Sequence, residues 1–179
     1  MSKVPYDDRE DLEKLRSQWK KIDGIVERQK EWSAAIVRAA TAAEIAANIA
    51  IRKRFESESE FSPEFVDSLL IWANGIEGKF SRLIIPAERD EARKKALGTL
   101  KKRAERLNKK RNAIVHRGAF ATKREMRELV DLAREIVGAL VTPWEPTFRL
   151  GGKKLTKAKS SKATKLVRPK QAKATKQKS

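Results

Sequence analysis

The chain of 179 residues contains no cysteine, one histidine and one tyrosine. The lack of cysteine excludes disulfide bonds and thiolate metal sites, and it fits a reducing compartment. No apolar run approaches the roughly 20 residues that a membrane-spanning helix needs. The first ten residues, MSKVPYDDRE, do not resemble a signal peptide. We therefore expect a cytoplasmic protein without a membrane partner.

Three common functional motifs are also missing from the sequence: a glycine-rich phosphate loop, a His/Cys metal-ligand set and a nucleophile elbow. These absences predict a protein that uses no metal ion and no cofactor. Aromatic residues are few, at 6 % of the chain. Trp19, Trp32 and Trp72 lie in helical apolar stripes and are predicted to belong to the core, and Trp144 is expected to cover its edge.

The spacing of apolar residues predicts an all-α fold, a compact bundle of four to five helices, because no proline falls inside a proposed helix and no segment reads as a strand. The expected landmarks are a capping box at Asp7 and Glu10, an alanine-rich helix ending near Phe55, a helix starting at Pro63, a long helix opened by Pro86, and a last helix over 123–141.

Positive charge is in excess and unevenly placed. The net charge is +18, but 12 of the 42 basic residues and none of the 24 acidic ones follow residue 145, so residues 1–145 carry +6. This predicts a helical domain at 1–145 and a disordered, lysine-rich tail at 146–179 that cannot bury enough apolar surface to fold alone. One interpretation of the tail is an electrostatic arm for RNA or DNA, and the other is a solubilising extension without a partner.

The most informative segment is RNAIVHRG at 111–118, which holds the only histidine. Imidazole can act as an acid or a base near neutral pH, and a guanidinium can grip a phosphate with a planar fork of donors. Arg111, Asn112 and His116 are therefore candidates for metal-free phosphodiester chemistry. Gly118 is placed to cap the long helix at its C-terminus, and Thr122 with Glu125 forms a capping box for the next helix.

The position of Arg111 in the long helix is unusual. It fills a gap in an otherwise apolar series and is expected on a buried face, where a charge is costly unless it is paired or functional; the series is Leu97, Leu100, Ala104, Leu107 and Ile114. Asn112 and His116 are four residues apart and should be neighbours. Arg111 is five residues from His116, about 140° around the axis, so the two are not expected to converge within one chain.

The pattern Arg-Asn-x-x-x-His followed by a glycine cap, in an all-α chain, resembles the HEPN superfamily, over roughly residues 25–141. Many of its members are metal-independent endoribonucleases of toxin–antitoxin, phage-defence and RNA-processing systems, and others only bind or scaffold. The resemblance implies catalytic roles for Arg111, Asn112 and His116. Some members carry a tyrosine two residues after the histidine that a partner protein modifies, but this chain has Gly118 there.

Glu44 is the fourth candidate site residue. The helix over 34–55 resembles the early helix of the family, whose acidic residue packs towards the motif, so Glu44 would lie near Arg111 and orient it. The alternative is an ordinary salt bridge between Glu44 and Arg38 or a lysine.

The resemblance further implies a homodimer in which two copies of the motif form one site for cleaving RNA, and it allows an antitoxin or a regulatory protein as a partner. Two alternatives stay open: a non-catalytic nucleic-acid-binding module that uses the basic tail, and a helical interaction protein. The basic residues expected to contact nucleic acid are Lys109, Lys110 and Arg117 beside the motif, and Lys153, Lys154, Lys157, Lys159, Lys162, Lys165, Arg168 and Lys170 in the tail.

Overall fold

A computed structural model of the chain describes residues 4–152 and 154–156, and all regular elements within them are helical. The all-α bundle is therefore confirmed, with six helices in the described part instead of four to five. They are α1 (Asp11–Arg28), α2 (Trp32–Glu58), α3 (Pro63–Trp72), α4 (Gly75–Lys79), α5 (Glu91–Arg117) and α6 (Lys123–Val141).

Helix α2 is the centre of the bundle, packed along α1, α5 and α6. Its buried faces are made largely of alanine, and small side chains let neighbouring helices approach closely because the interaxial distance depends on the side chains at the contact. The buried alanines of α2 are Ala35, Ala39, Ala42, Ala43, Ala46, Ala47 and Ala50. Trp19 of α1 and Leu107 of α5 are also fully buried in this core.

In the described part of the chain, α2 is also the one helix that is long and apolar enough to cross a membrane. Of its most apolar stretch, 56 % is buried inside the bundle. Packing against three other helices accounts for the apolar composition of α2.

A tight corner joins α3 to α4 and depends on Gly78. A Cβ atom at Gly78 would lie 1.5 Å from the carbonyl oxygen of Ala73, so α4 can pack against the end of α3 only with glycine at this position. Helix α4 then continues through a π-helical turn at Phe80–Ile84 and a short segment at Ile85–Ala87.

Two predicted helix starts are wrong. Pro86 does not open the long helix, because it lies in the short segment after the π-helical turn, and α5 begins at Glu91 where the Asp90 side chain accepts a hydrogen bond from the backbone N–H of Arg93 at 2.7 Å. Asp7 and Glu10 form no capping box, since residues 5–9 form turns and the Glu10 side chain makes no cap.

The chain continues to pack beyond residue 145, where disorder was predicted. Phe148 is buried, and the backbone oxygen of Gly151 accepts hydrogen bonds from the Trp19 indole at 3.1 Å and from Arg134 at 2.8 Å. The buried carboxylate of Asp131 accepts hydrogen bonds from the backbone N–H groups of Leu155 and Thr156 at 2.8 Å and 2.6 Å. These few contacts order a stretch whose composition alone gives no sign of packing.

Candidate functional site

The Arg-Asn-x-x-x-His motif occupies the last two turns of α5, where the helix emerges from the bundle. Arg111 and Asn112 are half-buried, whereas His116 and Arg117 are exposed. Gly118 ends the helix with φ of 65°, as its predicted role as C-cap requires. The motif is therefore held by regular backbone and still faces solvent.

Within one chain, the guanidinium of Arg111 reaches the imidazole of His116. Its Nη1 atom lies 3.5 Å from His116 Nε2, and it donates a hydrogen bond to Asn112 Oδ1 at 2.9 Å. The prediction that Arg111 and His116 do not converge within one chain is wrong. Their Cα atoms are separated around the helix axis, but the arginine side chain is long enough to reach the imidazole. One chain thus brings all three motif residues together.

A guanidinium has donors and no acceptor, so a hydrogen bond across the Arg111–His116 contact requires Nε2 of His116 to be the acceptor. Such a bond fits the tautomer of the ring that carries its proton on Nδ1. In this arrangement the basic nitrogen of His116 faces the same side chain that is suited to bind a phosphate.

Asn112 forms its hydrogen bond with Arg111 and not with His116. The predicted neighbours Asn112 and His116 share a face of α5, but the Asn112 oxygen accepts its hydrogen bond from Arg111. Asn112 therefore orients the guanidinium, since an arginine side chain left unpaired would sample many rotamers.

Glu44 forms a salt bridge with a lysine, which is the alternative prediction for this residue. Its carboxylate lies 2.8 Å from Nζ of Lys79, a lysine of α4 that is buried except for 5 % of its surface. The prediction that Glu44 pairs with Arg111 is wrong, because the buried ammonium of Lys79 needs a counter-charge more than the half-exposed guanidinium does. Lys79 carried no sequence signal, since one lysine among 42 basic residues does not stand out.

The basic residues near the motif have different environments. Lys109 and Arg117 are exposed and form no ion pair with the described residues. Lys110 is committed to structure: its ammonium contacts Glu125 at 2.6 Å and the backbone oxygen of Phe120 at 3.1 Å. Of the predicted nucleic-acid contacts, Lys109 and Arg117 remain open to a phosphate.

Of the basic residues predicted to bind nucleic acid in the tail, the structure describes one. Lys154 pairs with Glu135 at 3.1 Å and stays more than half exposed. The other predicted contacts lie outside the described residues: Lys153, Lys157, Lys159, Lys162, Lys165, Arg168 and Lys170.

Two large apolar side chains close to the motif in sequence are exposed. Phe120 is 90 % exposed and Val115 is 46 % exposed, one on each side of Gly118. The loop that carries Phe120 is held in place because the backbone N–H of Ala121 donates to Ser33 Oγ at 2.9 Å.

Among the described residues, no group of three or more His, Cys, Asp or Glu side chains is placed to hold a metal ion. Comparisons of the chain with protein-family models, with curated proteins and with solved structures give no match. The site must therefore be interpreted from its own geometry.

The capping box of α6 contacts the motif helix, because Glu125 pairs with Lys110. The ionisation of Glu125 can be tested by its effect on stability as the pH changes. The hydrogen bond from Lys110, together with those from Thr122, lowers the pKa of Glu125 from 4.5 to about 2. Because the folded-state pKa is depressed, Glu125 stabilises the fold above pH 4.5, and this contribution is lost as the pH falls towards 2.

We expect Glu125→Gln to lower the melting temperature at pH 7 and to have a much smaller effect near pH 2, since about half of the wild-type Glu125 carboxyl groups are protonated at that pH. Thr122→Ala removes the cap at every pH and should cost about 1 kcal/mol near pH 2. Its cost should be larger at pH 7, because the Thr122 hydroxyl also donates to the ionised Glu125 carboxylate. Thermal unfolding followed by circular dichroism between pH 2 and 7 measures both. A Glu125→Gln effect that is constant with pH would contradict the assignment.

Proposed function

We propose that the protein is a metal-independent endoribonuclease, of the toxin or phage-defence type that the HEPN resemblance implies, with Arg111, Asn112 and His116 at its catalytic site. The observation that carries the proposal is the approach of the Arg111 guanidinium to the only imidazole of the chain, 3.5 Å apart at an exposed helix end. Two exposed cationic side chains of the same helix, Lys109 and Arg117, form no ion pair within the described part of the chain.

The reaction is an attack of the RNA on itself. A base removes the proton of a 2′-hydroxyl, the 2′-oxygen attacks the adjacent phosphorus, and the bond from phosphorus to the 5′-oxygen breaks as an acid protonates that oxygen. The products are a 2′,3′-cyclic phosphate and a 5′-hydroxyl. The neutral form of the His116 ring fits the base, because its unprotonated nitrogen has a lone pair that can accept a proton.

Arg111 has two roles in this proposal. Before RNA binds, its guanidinium occupies Nε2 of His116. When a phosphate arrives, its charged oxygens compete for the guanidinium donors, since an anionic acceptor attracts the guanidinium cation more strongly than a neutral ring nitrogen does. Nε2 is then released to face the 2′-hydroxyl, and Arg111 stabilises the negative charge that develops on the phosphate.

A second copy of the chain would complete the site. The reaction needs a base and an acid, and each chain has a single histidine. The exposed side chains of Val115 and Phe120 flank the motif and would be buried if two motif helices met there. In such a homodimer, one His116 acts as the base and the other as the acid.

A non-catalytic nucleic-acid-binding module is the second candidate. It is favoured by the net charge of +18 and by the Asn112 hydrogen bond, which would suit a purely structural arginine equally well. In this case Arg111 and His116 only shape the end of α5, and RNA binds without being cleaved.

Cleavage of RNA by the purified protein in EDTA tests the catalytic proposal. We expect wild type to produce cyclic-phosphate ends, and His116→Ala to lower the rate by about 10²-fold or more, because it removes the acid–base group. Arg111→Ala should cost about 10²-fold through lost charge stabilisation. Arg111→Lys should recover little of this loss, since lysine lacks the planar fork.

Arg106→Ala is the matched control, because Arg106 is an exposed arginine on the same helix that pairs with Glu128. It should leave the rate unchanged. Full activity of His116→Ala would refute the mechanism, and RNA binding by all variants without any cleavage would support the binding module.

The shared site predicts a dominant effect of inactive subunits. Wild type and His116→Ala are unfolded, mixed in equal amounts and refolded so that subunits combine at random. If both histidines serve one site, activity falls to about a quarter of that of the wild-type sample, because only dimers of two wild-type subunits work. A fall to one half, proportional to the wild-type content, would show that each chain acts alone.

A further inference from the structure

Trp72, at the end of α3, departs from the prediction that it belongs to the core. It is 58 % exposed, and the guanidinium of Arg82 lies over its indole ring, 4.8 Å from the ring centroid. The same guanidinium donates a hydrogen bond to the backbone oxygen of Trp72 at 2.7 Å. The indole is therefore held in place on the surface by a cationic side chain instead of by burial.

Arg82 links this pair of side chains to the motif helix. Arg82 and Asn108 of α5 line one open cavity of about 410 Å³. Asn108 is four residues before Asn112 and eight before His116, so it neighbours Asn112 on α5 and lies about 12 Å from His116 along the axis. A strand of RNA with its scissile phosphate at His116 could therefore extend over the cavity to Trp72.

The cavity itself suits a polar polymer better than an apolar ligand. Asn74, Ser81 and Asn108 contribute neutral polar groups, and the charged residues of the lining are one carboxylate, Glu77, and one guanidinium, Arg82. Gly78 packs directly against Ala73 at the corner between α3 and α4, which brings Trp72 and Arg82 together.

We infer that Trp72 and Arg82 form a stacking subsite for a nucleobase of single-stranded RNA bound at the motif. Every base has a π-face, and exposed aromatic rings and guanidinium planes are the groups on which unpaired bases stack. A base inside a duplex is already stacked on its neighbours, so this subsite selects single strands. The inference rests on the proposed function for its substrate, because it extends the motif along the RNA.

The test uses a short oligoribonucleotide with 2′-O-methyl groups, which cannot be cleaved, and an abasic version with the same phosphates. We expect the RNA with bases to quench the tryptophan fluorescence of the full-length protein, since Trp72 is the most exposed of the four tryptophans. Trp72→Ala should bind this RNA about tenfold more weakly by fluorescence anisotropy, as expected for one lost stack. The abasic strand should bind wild type and Trp72→Ala equally.

Two further variants separate stacking from folding. Trp72→Phe keeps an aromatic ring and should retain most of the affinity while losing the quenching. Phe61→Ala removes an aromatic ring of similar exposure, 53 %, from the segment before α3 and should bind like wild type. Equal affinity of Trp72→Ala and wild type for the RNA with bases would overturn the inference, as would equal affinity of wild type for the two strands.

The outcomes for the subsite and for the enzyme are separate, because binding of uncleavable RNA does not depend on catalysis. If wild type cleaves no RNA but Trp72 still contributes to base-dependent binding, the stacking subsite stands and the ribonuclease fails. If cleavage depends on His116 while Trp72→Ala binds and cleaves as wild type does, the ribonuclease stands and the subsite fails.

Discussion

The close packing of helix α2 through alanine side chains is the constraint on which the other helices depend. Because its buried faces offer little more than methyl groups, α1, α5 and α6 can all lie directly against it. Helix α5 is buried along α2 as far as Leu107 and then leaves the core, so that its last two turns are supported on one side only. The core supports the motif from one side and leaves its other side exposed to solvent.

Because the motif lies at the exposed end of α5, its polar side chains form their hydrogen bonds with one another. Asn112 fixes the Arg111 guanidinium, and the guanidinium in turn occupies the acceptor nitrogen of His116. The three side chains form a cluster that a bound phosphate would open in the proposed mechanism. In the proposed homodimer, the exposed side chains of Val115 and Phe120 would lie between the two copies. The charges on the surface, at Lys109 and Arg117, suit an anionic polymer. In the proposed enzyme, each chain supplies half of the catalytic site.

Local sequence signals predicted the structure well where the interactions are themselves local. Gly118, the Thr122–Glu125 capping box and the helix at 123–141 are as expected, because caps and helical periodicity involve residues a few positions apart. The contact between Arg111 and His116 was missed, since an angle between Cα atoms says nothing of how far a long side chain extends.

The remaining errors come from interactions between residues distant in sequence. Glu44 pairs with Lys79 of α4, Trp72 stays on the surface because α3 presents Val66 and Leu70 to the core, and the described residues that follow residue 145 pack through contacts with Asp131 and Trp19. No spacing rule relates such positions before the helices are placed. Candidate residues were thus found from the sequence, while their partners depend on tertiary packing.

The most direct measurement of the central claim is the nitrogen NMR spectrum of the imidazole of His116, which is unambiguous because the chain has one histidine. In the free protein we expect the Nε2 resonance to show a hydrogen bond accepted from Arg111, which requires the proton to be on Nδ1. When uncleavable single-stranded RNA is added, the resonance of Nε2 should shift as Arg111 transfers to the phosphate, and this shift should be absent in Arg111→Ala. Saturating RNA that leaves the Nε2 resonance of wild type unchanged would contradict the account, because the bound phosphate would then lie elsewhere.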